Sequence, residues 1–371
     1  MRFTNVDIDL LAIRENLLAI KRQVSPAEIM AVVKADAYGH GAVEVAKLAA
    51  DTGVAYLAVA LVEEALELRN HGIKLPILIF GGELDDQVEE LVHIDAEITI
   101  YSLELAKSIS DKALQVGKII PVHIKVDTGM GRVGVHWSEA IRFIRQCMSF
   151  PGIRIQGLYT HFATSDEGEK EFANQQLANF KNIIASLKMN HIHIPVIHAA
   201  NSGAILDMPD AYFNMVRPGI MMYGYYPSAE TTESVPLKPA MTFKSKILYL
   251  KEVEAHTPIS YGRTYYARTR TKIATIPVGY ADGYNRLLSN RGKVTINKHE
   301  FPVVGRVCMD QILVDVGINF EGKIGDDVIL FGPKCEGNEL TVYDICRLVN
   351  TIPYEVCCWI SKRVPRIYRK D

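Results

Sequence analysis

Lys34 closes the apolar run Met30-Ala31-Val32-Val33, and it is the first residue in the chain whose setting could do chemistry. A partly desolvated lysine loses proton affinity, and its neutral amine can attack a carbonyl to form an imine. Other reactive types close later runs. Lys125 and Asp127 follow Ile124, and Arg132 comes soon after in Thr128-Gly129-Met130-Gly131-Arg132. His161 ends another run, Asn201-Ser202-Gly203 follows the next, and Arg217 precedes Pro218-Gly219-Ile220. A serine hydroxyl beside Gly203, and the backbone around Gly219, suit close approach to a phosphate. Each feature also has an ordinary reading. A lone lysine is usually a solvated charge, His161 a core histidine and Arg217 an ion-pair partner, while Asn-Ser-Gly and Pro-Gly are common turns. Convergence on one face is what would make them a site.

The elements that must position them alternate regularly. Apolar, strand-like runs recur at 28–34, 54–60, 76–80, 96–100, 119–126, 153–161, 194–199 and 213–217. Most are separated by amphipathic stretches of helical period, such as 41–51, 62–71, 103–116 and 169–187, with Gly53, Gly72 and Gly117 at helix C-cap positions. Eight such strands with crossover helices predict a (β/α)8 TIM-like barrel over residues 1–235. The competing open, doubly wound sheet usually carries a G-x-G-x-x-G turn after its first strand, and none is present. In a barrel, every residue named above falls at the C-terminal ends of strands or in the loops that follow, where barrel sites are built.

After about Ser234 the pattern becomes short strands at 241–254, 272–278, 293–296, 301–304, 312–316 and 327–331, separated by Gly, Asn and Asp turns. Thr341 with Asp344 resembles a capping box. Residues 236–371 therefore read as a mainly β domain. The run 5–10 does not fit the barrel count and is expected to pair with that β domain.

With 371 residues, the chain has room for two domains and a large core. A net charge of -2 gives no general pull toward nucleic acid or an anionic membrane, and no stretch approaches the length of a membrane span. Asp7 and Asp9 stand where a signal peptide would need an apolar run, so a cytoplasmic location is expected. The cysteines show no C-x-x-C pair and no metal-ligand spacing with histidine, so free thiols and no metal are expected.

The segment Val32-Val33-Lys34-Ala35-Asp36-Ala37-Tyr38-Gly39-His40-Gly41 resembles the cofactor-lysine signature of bacterial alanine racemases. Further matches follow in family order: Lys125 to Arg132, His161 to Asp166, Asn201 to Ala204, Arg217 to Ile220, Tyr261-Gly262, Gly279 to Gly283, Gly305 to Gln311 and Ile352 to Glu355. They span both domains. Asp36 departs from the pattern, which usually has Asn there; a carboxylate beside the cofactor lysine could alter its basicity.

The resemblance implies a homodimer that interconverts L- and D-alanine, with pyridoxal phosphate held as an imine on Lys34. It implies two bases on opposite faces of the substrate: Lys34, and Tyr261 of the partner subunit. The product D-alanine would serve bacterial peptidoglycan. By the same resemblance, Tyr38, Ser202, Gly219, Ile220 and Tyr354 bind the phosphate and Asn201 belongs to the cofactor set. Arg217 contacts the pyridine nitrogen, and His161 links it to Tyr261. Arg132 contacts the cofactor phenolate oxygen and the substrate carboxylate, with Met309 contributing from the partner's β domain. Lys125 matches a lysine that is carbamylated in some members. Three alternatives compete: a barrel-type amino-acid decarboxylase, a single-barrel pyridoxal-phosphate-binding protein and a broad-specificity racemase. Tyr261-Gly262, Met309-Asp310-Gln311 and Arg217 favour racemization over the first. The large β domain argues against the second, and the missing export signal against the third.

Overall fold

The apolar runs pair side by side in parallel, because each strand is followed by a helix that carries the chain back to the same end. The computed structural model describes residues 2–81, 88–335 and 337–370. Its barrel strands are β2 (Glu28–Val32), β3 (Tyr56–Val59), β4 (Ile77–Ile79), β5 (Glu97–Ile100), β6 (Ile120–Asp127), β7 (Ile153–Tyr159), β8 (Val196–His198) and β9 (Met215–Val216), with β1 (Asn5–Asp9) preceding them. Each pairs with the next, and β9 returns to β2, so the sheet closes on itself. The fold is a TIM-like barrel followed by a mainly β domain. Apolar strand residues such as Ile29, Leu57, Leu78, Ile98, Ile124 and Leu158 are fully or almost fully buried.

β1 does not enter the barrel. It pairs antiparallel with β10 (Met241–Lys246) and parallel with the C-terminal strand Arg366–Arg369. Asp9 then caps the helix Leu10–Val24 by accepting from the Ala12 N–H at 2.9 Å. The sheet of the second domain runs His299–Pro302, Lys293–Ile296, Asp327–Phe331, β10, β1, Arg366–Arg369. A smaller sheet joins Tyr249–Val253, Thr271–Ile276 and Ile312–Asp315. The expected capping box is present, with Thr341 Oγ1 and Asp344 exchanging hydrogen bonds.

Two expectations are corrected. The run 241–254 is two strands in different sheets, because alternate burial along β10 gives way to a largely exposed Tyr249–Val253. Strand one stops at Val32, so Lys34 opens a turn rather than ending a strand. His161 and Arg217 likewise stand just past β7 and β9, although the Arg217 N–H still pairs with the Ala200 carbonyl at 2.8 Å. No helix among the described residues is long and apolar enough to cross a membrane, and the cysteines are free thiols.

Candidate active site

Lys34 is held by an unusual piece of backbone. Ala35, Asp36, Ala37 and Tyr38 all have φ of 52–53°, a left-handed turn built without glycine. Each such residue costs about 1–2 kcal/mol, so its neighbours must over-determine the turn. Glu64 does so from the helix Val62–Asn70, accepting from the Ala35 N–H at 2.5 Å and the Ala60 N–H at 2.7 Å. Asp36 accepts from the Ala42 N–H at 2.8 Å, capping the next helix, and lies 3.9 Å from Arg366. Its carboxylate thus points into a structural role; the charges acting on Lys34 are Arg132 and Glu64. Gly39 is required where the turn closes, because a Cβ there would stand 2.4 Å from the Cys357 carbonyl oxygen.

Burial, with the Arg132 charge as the next cause, holds the Lys34 amine below the ordinary lysine range. Lys125 is lowered further by burial, Arg217 and Arg132, and its Nζ lies 4.7 Å from the centre of the Tyr159 ring. Both amines are therefore more readily neutral, and nucleophilic, than a surface lysine. Asp127 accepts from the Gly129 and Gly131 N–H groups, each at 2.9 Å, and so shapes the loop that carries Arg132.

Arg217 is buried and held through both terminal nitrogens. Its guanidinium donates to the Thr160 carbonyl at 2.8 Å, the Ala199 carbonyl at 2.9 Å, His198 Nδ1 at 2.9 Å and His161 Nδ1 at 3.3 Å. Burial pushes its pKa down to about 10. His161 is held well below the ordinary histidine range by burial, then by Arg217, Lys125, Arg132 and Lys34, so it is a neutral imidazole. A neutral ring can accept from Arg217 on Nδ1 and donate from Nε2.

The phosphate candidates converge on the same mouth. Ser202 Oγ accepts from the Gly219 N–H at 3.0 Å, and Asn201 caps the short helix Ser202–Asp207 through the Ala204 N–H at 3.1 Å. Tyr38 packs against Tyr354 and Tyr223, with ring centroids 5.8 and 5.2 Å away. A Cβ on Gly219 would meet Tyr38 Oη at 2.8 Å, so this glycine leaves the space between those groups open. Burial raises the pKa of Tyr38 and Tyr354 well above the ordinary phenol value, which keeps both as hydrogen-bond donors. Ile220 is buried and opens the next turn, directly after Gly219. Hydroxyls and amides around an open cradle are a donor set that fits a phosphate.

The chain does not bring everything together. Tyr261 and Met309 lie on the second domain, 70% and 53% exposed, and among the described residues neither hydrogen-bonds to the barrel-mouth groups. Conversely, sequence reasoning missed Tyr159 and the histidines His123 and His198, which stand behind Arg217 in the barrel interior. Their signal was weak: polar residues set inside otherwise apolar strands.

Family models for the alanine racemase N-terminal and C-terminal domains match residues 8–227 and 240–368. The chain is 48% identical to alanine racemase 2 of Caldanaerobacter subterraneus subsp. tengcongensis, covering 99% of this chain and 95% of that one. It is 47% identical to an alanine racemase of Clostridium perfringens strain SM101, covering 100% and 95%. The solved alanine racemase of Clostridium difficile 630 superposes with a TM-score of 0.95 at 43% identity, covering 100% of this chain and 96% of that one.

Proposed function

The chain belongs to the alanine racemase family and interconverts L- and D-alanine, and on that premise we propose how its residues do so. The observation that carries the proposal is one barrel mouth holding a Lys34 amine of lowered proton affinity, the Arg217–His161 pair and the open Ser202–Gly219 cradle. These residues fit pyridoxal phosphate. Lys34 would hold it covalently, Tyr38, Ser202, Gly219, Ile220 and Tyr354 would bind its phosphate, and Asn201 would fix the loop beneath. When bound, the cofactor withdraws the electron pair left at Cα after proton loss.

The chain's own groups do the rest. Inversion needs a proton taken from one face of Cα and returned to the other. Lys34 serves one face, taking the proton of D-alanine. Tyr261 of a second subunit serves the other, taking the proton of L-alanine. Its exposure in the single chain is what a residue completed by a partner shows, and the same holds for Met309. An ordinary phenol is a weak base at neutral pH. The neutral His161 helps by passing the positive potential of Arg217 toward Tyr261. Arg217 would hold the ring nitrogen of the cofactor; as a donor that surrenders no proton, it would leave that nitrogen unprotonated and so disfavour transamination. Arg132 pairs with the substrate carboxylate. The neutral Lys125 amine attacks carbon dioxide, forming an N–C bond and releasing one proton, and the resulting carbamate orients Arg132. Two such sites per homodimer supply D-alanine for peptidoglycan.

The test is the purified protein with pyridoxal phosphate, assayed in both directions with the two enantiomers of alanine. Lys34→Ala should abolish conversion and the borohydride-reducible attachment of cofactor. Cofactor still fixed to protein on reduction of that variant would show that Lys34 is not the anchor.

A further inference from the structure

Behind Arg217 lies a line of buried polar groups that none of the roles above uses. Arg217 Nη1 meets His198 Nδ1 at 2.9 Å, His198 Nε2 meets His123 Nδ1 at 2.9 Å, and His123 Nε2 meets Glu97 Oε2 at 2.6 Å. His123 and His198 are fully buried, and Glu97 is 9% exposed. From the other end of the barrel, Arg154 donates to Gln156 Oε1 at 2.6 Å, Gln156 Nε2 to Tyr56 Oη at 3.3 Å, and Tyr56 Oη to Glu97 Oε1 at 3.2 Å.

Two arginines settle the direction of every bond in this line. A guanidinium only donates. Arg217 therefore requires a lone pair on His198 Nδ1, which puts the His198 proton on Nε2. That proton requires a lone pair on His123 Nδ1, which puts the His123 proton on Nε2, pointing at Glu97. An imidazolium at either position would set N–H against N–H. At the far end Arg154 fixes the Gln156 amide, whose nitrogen then faces Tyr56 and leaves the phenol hydrogen for Glu97. Both chains end as donors on the two oxygens of one carboxyl, which is the environment of an ionised, acceptor-only group. The seat is built for the ring: a Cβ on Gly157, paired with His123 across β6 and β7, would stand 2.1 Å from His123 Nδ1.

We propose that Glu97, acting through His123 and His198, is the buried counter-charge of Arg217, and that this relay positions the guanidinium and sets the positive potential at the reacting centre. Its bearing on the reaction rests on the reading of Arg217 given under Proposed function. Glu97, His123 and His198 are positioning residues, since none reaches the barrel mouth. Glu97 is faced by His123 and Tyr56, with Gln156 and Arg154 beyond. Arg217 is faced by His198, His161 and Tyr159, with Lys125 and Arg132 nearby. A buried guanidinium without a partner charge is costly, and the relay supplies one without placing a carboxylate beside the ring nitrogen.

Two measurements on the holoenzyme test this. In protein labelled with nitrogen-15 histidine, two-bond correlation spectra read the tautomers, assigned by their loss in His123→Gln and His198→Gln. Both rings should be neutral with the proton on Nε2, unchanged across roughly pH 6 to 9. A proton on Nδ1 of either ring, or titration in that range, overturns the relay, and this arm needs no folded Glu97 variant. Glu97→Gln keeps an oxygen for His123 while removing the charge. Less negative potential makes every nearby acid easier to deprotonate, so its kcat/KM pH profile should move to lower pH by about half a unit. A superimposable profile overturns the charge role, because a merely structural residue would change height without moving the profile. With the tautomers as stated, an unchanged ratio of transamination to racemization in Arg217→Lys counts against the ring-facing role of Arg217 and not against the relay.

Discussion

Replacing Gly219 with alanine tests the phosphate cradle at the point where the structure leaves least room. The new Cβ would sit 2.8 Å from Tyr38 Oη, 3.4 Å from its Cζ and 3.9 Å from Ser202 Oγ. Tyr38 cannot simply swing away, because it is 7% exposed and confined between Tyr354 and Tyr223. The methyl group therefore displaces the phenol or fills the space that a phosphate oxygen would enter. Losing one hydrogen bond to a charged group costs about 1.5–3 kcal/mol. That corresponds to cofactor binding weaker by roughly 10- to 150-fold. Titration of the cofactor-free protein, followed by absorbance, measures it directly. Pyridoxal, which lacks the phosphate, should bind variant and wild type alike, and turnover at saturating pyridoxal phosphate should stay within a few-fold of wild type. If pyridoxal and pyridoxal phosphate weaken equally, or neither weakens, the cradle does not hold the phosphate.

Two further outcomes follow from the same geometry. Asp36→Ala removes the cap on the Ala42 N–H and should cost about 1 kcal/mol of stability in a urea titration, while Asp36→Asn, which keeps the acceptor, should cost a few tenths. Incubation with carbon-13 bicarbonate should give a carbamate signal that disappears in Lys125→Ala. Because burial lowers the Lys125 pKa, the signal should persist to lower pH than for a surface lysine, and it should fade as falling pH protonates the amine.

How much of this was legible in the sequence depended on periodicity. Apolar runs spaced by amphipathic stretches marked the barrel, and its strand ends collected Lys34, Lys125, Arg132, His161, Ser202 and Arg217 at one mouth. The left-handed turn after Lys34 was not legible, since Ala35 to Tyr38 contain no glycine and its support comes from Glu64 on a separate helix. The relay was hidden for a related reason. His123 and His198 sit inside strands covered on both faces, where a polar residue reads as an interruption until its partner on another strand is known. Gly157 looks like a weak point in β7 and is instead the space His123 occupies. The helix Leu10–Val24 was masked because the run 5–10 crosses the strand–helix junction at Asp9, although an N-cap aspartate followed by helical periodicity is a readable signal. The strand Arg366–Arg369 is too charged to show as an apolar run, and it is recruited by β1.

Mixing two damaged subunits asks most directly whether Lys34 and Tyr261 of different chains form one site. Lys34→Ala and Tyr261→Phe homodimers should each be nearly inactive. In a heterodimer one site combines both lesions, while the other pairs an intact Lys34 with an intact Tyr261 from across the interface. Random exchange makes half the dimers mixed, and half of their sites whole, so L- to D-alanine conversion should recover to about a quarter of wild type. No recovery, with heterodimers verified by differential tags, would contradict the shared site and place both bases within one chain.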